Sequence, residues 1–191
     1  MATLYWYGGT GNWSSATGHW STNSGNAPAA DHIAPLTTDD VVFDILSSAA
    51  EAAYTVTVDA ASVCHDMTMD GPSTTDATKV TWAGSSTLNI SGSLSLTGGT
   101  AGITRTYTGA ITFSTINAAG ETISLNGVAL AGDCTFTAPT PFFGKWTLSD
   151  AFNLGVANGI QINTGVLVTG NQTITCAAFT IAAGNYQNIN F

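Results

Sequence analysis

From residue 54 onward the chain repeats one short device: an apolar pair spaced i, i+2, a corner of small residues, and a second apolar pair. "YTVTVD" sets Val56 and Val58 on one side and Thr55 and Thr57 on the other. "STLNISGSLSLTGG" pairs Leu88 with Ile90, then Leu94 with Leu96. "KWTLSDAFNLG" pairs Trp146 with Leu148, then Phe152 with Leu154, and "GIQINTGVLVTG" pairs Ile160 with Ile162, then Val166 with Val168. Successive side chains of a strand point to opposite faces, so this alternation marks half-buried strands. In the last three units the second pair begins six residues after the first, at 94, 152 and 166. So short a gap admits a hairpin or a bend within a coiled ribbon. Two-residue hairpins favour Asn-Gly, which occurs only at Asn126-Gly127 and Asn158-Gly159. The pattern therefore predicts an all-β chain coiled as a right-handed β-solenoid, with quasi-repeats of about 15 to 25 residues. A β-sandwich or jelly roll is the alternative fold. The one helix candidate, "SSAAEAA" at 47–53, is short and runs straight into strand residues.

The chain has 191 residues. That suffices for one body that buries roughly 70% of its unfolded surface. Charge is scarce, with three Lys and Arg against twelve Asp and Glu, a net charge of −9. A chain this acidic has no means of neutralising phosphates, which excludes nucleic-acid binding. Low charge with many Gly and Thr would fit disorder, but the β-branched and aromatic residues that recur throughout do not. No apolar run approaches the length of a membrane span. "MATLYWYGG" has neither the basic nor the apolar region of a secretory leader, so none is expected. Cys64, Cys134 and Cys176 are far apart with no C-x-x-C, which reads as isolated thiols.

At the N-terminus, "WYGGTGNWSSATGHW" places Trp6, Trp13 and Trp20 seven residues apart. The spacing matches a helical heptad. However, Gly8, Gly9, Gly11 and Gly18 would each cost a helix about 1 kcal/mol. Two readings remain. A solenoid must cover its open ends or aggregate through them, and a Trp/Gly-rich cap at 1–36, ahead of a solenoid body at 37–191, would do so. The rings would then be buried against residues such as Val42, Val56 and Val58. Alternatively, Trp6, Trp13 and Trp20 form an exposed platform on which a glycan stacks.

"WYGGTGNWSSATGHWS", "TTDDVVFD" and "YTVTVDAASVCHDMTMDG" together resemble the opening of β-solenoid proteins found in marine bacteriophages and environmental sequences, which are distantly similar to autotransporter and adhesin repeats. The shared pattern is W-x-GG-x-G-x-W, a further W-S, a D-x-V-x-F strand and a T-V-T-V strand. "KWTLSDAFNLG" and "GVLVTGNQTITCAAFTI" resemble the repeated body. The resemblance covers most of the chain. Its motifs are structural and bring no catalytic residues with them. His65 departs from it, standing where an aliphatic residue is expected.

Residues able to carry chemistry are few. Asp39, Asp40 and Asp44, with Asp31 nearby, form the densest acidic group and the one weak candidate for a metal. Calcium needs several convergent oxygens, and neighbours in a strand diverge, so backbone capping at the strand start is the simpler role. Asp133 and Asp150 could face one another on adjacent coils, as a glycosidase pair would. His19, His32 and His65 show no ligand spacing. No G-x-S-x-G, H-E-x-x-H or phosphate-binding loop is present. Lys79, Arg105 and Lys145 are too few to form a basic patch. The expectation is therefore a non-enzyme without cofactor or metal.

The resemblance implies a structural component of a phage virion: a capsid decoration, head fibre or tail fibre on the particle surface, made in the host cytoplasm, with a possible glycan contact on the host. A bacterial surface adhesin or carbohydrate-binding module is the alternative. Ice binding through outward pairs such as Thr55/Thr57, Thr135/Thr137 and Thr173/Thr175 is disfavoured, because these recur too irregularly for a flat array. In "YQNINF" the alternation makes Ile189 and Phe191 an inward pair at an uncovered end. The expected partners are further copies of the chain, as a homotrimer, and other virion proteins, with no membrane insertion.

Overall fold

The computed structural model describes residues 1–15, 18–28, 33–47, 53–70, 79–139, 143–182 and 187–190. Within them the chain is a β-solenoid of about five turns. The longest sheet has nine strands. Eight of them lie in chain order: Thr3–Trp6, Asp40–Phe43, Met67–Met69, Leu94–Ser95, Glu121–Ser124, Lys145–Leu148, Gly165–Val168 and Gln187–Asn190. A six-stranded sheet runs from Ser62–Cys64 to Ala178–Ile181. A four-stranded sheet runs from Gly11–Asn12 to Ile103–Arg105, and Phe152–Asn153 pairs with Ile174–Thr175 as a fourth sheet. From Asp40 onward each turn visits the nine-stranded sheet, then the four- or two-stranded side, then the six-stranded sheet, except that Glu121–Ser124 is followed directly by Cys134–Thr137 of the six-stranded sheet. Every pairing is parallel except that of Trp20–Ser21. Among the described residues, helix is confined to the single turn Gly99–Gly102.

The three-sided turn corrects the expected coil length. Val41, Met67 and Leu94 share one register, in steps of 26 and 27 residues. The step from Leu94 to Ile123 is 29, that from Ile160 to Phe179 is 19, and the last described step, Leu167 to Ile189, is 22. The pair–corner–pair unit visible in the sequence is two sides of a triangle; with the third side the early turns run past the expected range, while later ones, such as Lys145 to Val166, fall within it. The helix candidate at 47–53 lies largely outside the described residues.

Like residues stack along the axis. Cys64, Ile90, Phe113, Phe136 and Ile162 form one inward column, each at 0% exposure. Phe113 and Phe136 lie stacked at 5.0 Å. Val56 and Val58 point inward as expected, as do Leu88, Ile90, Leu94, Leu96, Trp146, Leu148, Phe152, Leu154, Ile160 and Ile162. One register differs. Val166 and Val168 are half-buried, while Leu167 sits inside, paired with Trp146. Gly165 explains the shift. It has φ +108°, and a Cβ there would come within 2.7 Å of the Trp146 ring. The indole thus fills the space that a side chain at 165 would need, and Leu167 becomes the inward residue of that strand.

The three N-terminal tryptophans form a plug. Trp6, Trp13 and Trp20 are 0%, 1% and 0% exposed. Trp20 meets Trp6 and Trp13 edge-on, at 5.0 Å in each case, and all three rings lie 5.6–5.8 Å from Phe43. Edge-to-face packing suits the ring quadrupoles. Gly8 and Gly9, at φ +83° and +76°, make the turn that brings the chain back over this cluster. Two indole N–H groups are tied to it: Trp6 Nε1 donates to Gly9 O at 2.7 Å and Trp20 Nε1 to Trp13 O at 2.8 Å. The expected support of the plug needs correction: Val41 and Phe43 face inward, and Val42 is half-buried. Segment 1–36 also continues the body, since Thr3–Trp6 and Gly11–Asn12 extend two of its sheets. Antiparallel Trp20–Ser21 then occupies the outer edge of Thr3–Trp6.

The opposite end is uncovered within the described residues. Phe179 and Ile181 continue the inward columns of Ile160 and Ile162 but are 38% and 49% exposed. Ile189 packs on the core as its alternation predicts; Phe191 lies outside the described residues.

Replacing Trp20 by Ala removes the ring that touches every other member of the plug. We expect a loss of about 3–5 kcal/mol, read by urea denaturation; Trp20→Phe should recover part of it.

Candidate functional site

The coil step decides which polar residues meet. His65 N donates to Asp39 O and Gly92 N to His65 O, so Asp39, His65 and Gly92 form a column on the corner where the six-stranded sheet passes into the nine-stranded one. Asp40, Asp66 and Ser93 form the adjoining column, each one residue ahead of the Val41–Met67–Leu94 register. Along this corner runs a polar chain. His65 Nδ1 lies 2.8 Å from Asp40 Oδ1 and 3.4 Å from Asp66 Oδ1. Ser93 N donates to Asp66 Oδ1 at 2.7 Å, and Ser93 Oγ donates to Glu121 Oε2 at 2.8 Å. Glu121 also accepts from Asn117 Nδ2 at 3.0 Å and Thr115 Oγ1 at 3.3 Å, and is 8% exposed. Beside the chain lies a groove of about 840 Å³, crossing several turns and lined in part by Thr37, His65, Ser91, Ser114, Asn117 and Pro139.

The tryptophan glycan platform is not formed. Trp6, Trp13 and Trp20 are interior, and Trp6 is covered by His19, stacked on it at 4.4 Å. The acidic group 39, 40 and 44 also divides. Asp39 accepts from the backbone N–H of Ala2 and Leu36, both at 3.1 Å, as strand-start capping requires. Asp44 accepts from Leu46 N and from the hydroxyls of Ser24 and Ser47. Only Asp40 reaches a titratable neighbour. Asp133 and Asp150 do not face a common cleft as carboxylate partners: Asp133 accepts from Gly159 N at 2.7 Å, and Asp150 accepts from Leu125 N, Asn126 N and Ser124 Oγ. Asp31 and His32 lie outside the described residues, and His65 stands at a corner, leaving the inward positions to Cys64 and Met67. Asp66 and Glu121 were missed because Ser93, which joins them, lies a whole coil from each. The available signal was the 26-residue step, which carries Asp40 onto Asp66 as it carries Val41 onto Met67.

Two other groups bear on reactivity. Burial, with the Asp66 and Asp40 carboxylates adding to it, pushes the Cys64 thiol far above its usual range; burial and Asp133 do the same for Cys134. At Asp59, burial would raise the carboxyl, but the Ser14 hydroxyl and amide outweigh it and hold the group below its usual value. The folded form is thus favoured by this contact above the unfolded carboxyl pKa. The advantage fades as the pH falls through the lowered one.

Thiolate is the reactive form of cysteine, and only Cys176 is part-exposed. Alkylation of the folded chain at pH 8 should therefore mark Cys176 alone, and all three cysteines in denaturant, as read by peptide mass spectrometry. Glu121→Ala would leave the donors of Ser93, Thr115 and Asn117 without their acceptor. A loss of about 1–3 kcal/mol is expected in denaturant unfolding.

Compared with protein-family models, curated proteins and solved structures, the chain matches none.

Proposed function

We propose that this chain is a non-enzymatic structural module exposed on the surface of a bacteriophage particle, as a capsid decoration, head fibre or tail fibre. The observation that carries the structural half of this reading is the use of the acidic side chains. The carboxylates a hydrolase would turn toward substrate are bound instead to backbone N–H groups and hydroxyls of their own or the adjacent coil, as at Asp39, Asp66, Asp133 and Asp150. Such side chains hold a rod together. The phage half rests on the resemblance of the W-x-GG-x-G-x-W opening and the strands after it. No helix among the described residues is long and apolar enough to cross a membrane.

Phe179 and Ile181 supply an apolar end that further copies, in a homotrimer, or a shell protein would cover, removing that area from water. A second reading, a carbohydrate-binding or adhesin module on a bacterial surface, is favoured by the corner groove. Its Ser, Thr and Asn side chains offer hydrogen bonds beside the apolar surfaces of Ile116 and Pro139.

Mass spectrometry and immunogold microscopy of purified particles from an infected host should find the chain at fixed stoichiometry on the outer surface. Its absence from particles, together with retention on a glycan array that depends on Asn117, would replace the first reading by the second.

A further inference from the structure

At the junction of the first two complete coils, two carboxylates that already accept backbone N–H groups meet an imidazole. Asp40 comes from one coil, and His65 and Asp66 from the corner leading into the next. Their ligand atoms all lie within 4.8 Å of one another. We propose that Asp40, His65 and Asp66 bind a divalent transition-metal ion, Zn²⁺ being the best match, which clamps the two coils together.

The distances fit. Ligand bonds of about 2.0–2.2 Å place donors on a zinc ion roughly 3–3.5 Å apart. The separations here are 2.8 Å from His65 Nδ1 to Asp40 Oδ1 and 3.4 Å to Asp66 Oδ1. An ion therefore enters with a small outward movement of Asp40, replacing a single hydrogen bond by three coordinate bonds. The imidazole then carries its hydrogen on Nε2 and gives its Nδ1 lone pair to the metal. Both carboxylates are already oriented, since Asp66 N donates to Asp40 Oδ1 at 3.3 Å and Ser93 N to Asp66 Oδ1 at 2.7 Å. Backbone contacts of this kind fix ligands in metal centres.

Gly92 leaves the Asp66 carboxylate its place: a Cβ there would lie 2.0 Å from Asp66 Oδ1, so a side chain at 92 would displace that donor, and it would press on His65 Cε1 at 3.1 Å. The donor set selects the metal class. One imidazole and two carboxylates suit zinc and its neighbours, whereas calcium takes six to eight oxygens. Two carboxylates with a neutral imidazole balance the 2+ ion, in a chain whose net charge of −9 draws cations toward it. Cys64 points into the core and takes no part.

The test is calorimetric titration of ZnCl₂ into the tag-free chain after chelator treatment, with Co²⁺ absorption as a second probe. One ion per chain is expected, with oxygen–nitrogen coordination and no thiolate charge-transfer band, and a melting temperature that rises with Zn²⁺. His65→Ala and Asp66→Asn should weaken binding by at least about tenfold. Asp133→Asn and Cys176→Ser should bind as the wild type does. Far-UV circular dichroism establishes that each variant folds, and His65→Gln substitutes should His65→Ala fail to. Absence of saturable binding, equal binding by the wild type and the His65 and Asp66 variants, loss of binding in Cys176→Ser, or tighter binding of Ca²⁺ than Zn²⁺ would each overturn the proposal.

Discussion

Hydrogen bonding between successive coils sets every other feature of this molecule. Each strand except Trp20–Ser21 pairs in parallel with its equivalent one turn away, so a single register pair such as Val41 with Met67 dictates which side chains stack along the axis. Apolar columns result on the inside and polar columns on the corners. The Cys64–Ile90–Phe113–Phe136–Ile162 column and the Asp40–Asp66–Ser93 column are the inner and outer products of one constraint. A shift by one residue would exchange the two faces. Gly165, which admits the Trp146 ring and lets Leu167 take the inward position, shows how closely that constraint is held.

The net charge of −9 takes on a different meaning in this light. Each acidic side chain among the described residues accepts at least one hydrogen bond from a backbone N–H, a hydroxyl, an amide or an imidazole: Asp39, Asp40, Asp44, Asp59, Asp66, Asp70, Asp133, Asp150 and Glu121. Basic partners are nearly absent, and the two close ion pairs among these residues both involve His65. The carboxylates serve as acceptors at corners, where the turning chain exposes N–H groups that no strand pairs. Acidity here is largely a consequence of coiling.

Period-two alternation made the strands and most inward residues legible, because burial on one face leaves a direct trace in the sequence. The fold class followed from the small corners between the pairs. The coil length followed only in part, since the early steps of 26 to 29 residues exceed the expected range. The third side varies from six-residue strands, as in Ala53–Val58, to two-residue ones, as in Phe152–Asn153, and so leaves no regular signature. Val166 and Val168 were misassigned because alternation alone cannot give the phase of a strand whose two faces are both apolar; the phase was decided by Trp146 on the neighbouring coil. The polar corner stayed hidden for the same reason. Asp39, Asp40 and Asp44 are neighbours in sequence, but their side chains turn to different partners. Asp40 is a full coil from His65 and Asp66 in sequence and adjacent to both in space.

The aromatic plug precedes the coils it covers, and that order bears on how the chain acquires its shape. Parallel pairing between distant segments is slow to begin, because loop closure must be met before any contact offsets it. A preformed end removes that first step. Synthesis proceeds from the N-terminus, so the cluster of Trp6, Trp13, Trp20 and Phe43 can assemble while later coils are still unmade. Such an end would present one ready strand edge, Asp40–Phe43, to the segment that follows. Assembly by such nearest-neighbour addition has a direction, and the molecule grows as a crystal does from a seeded face.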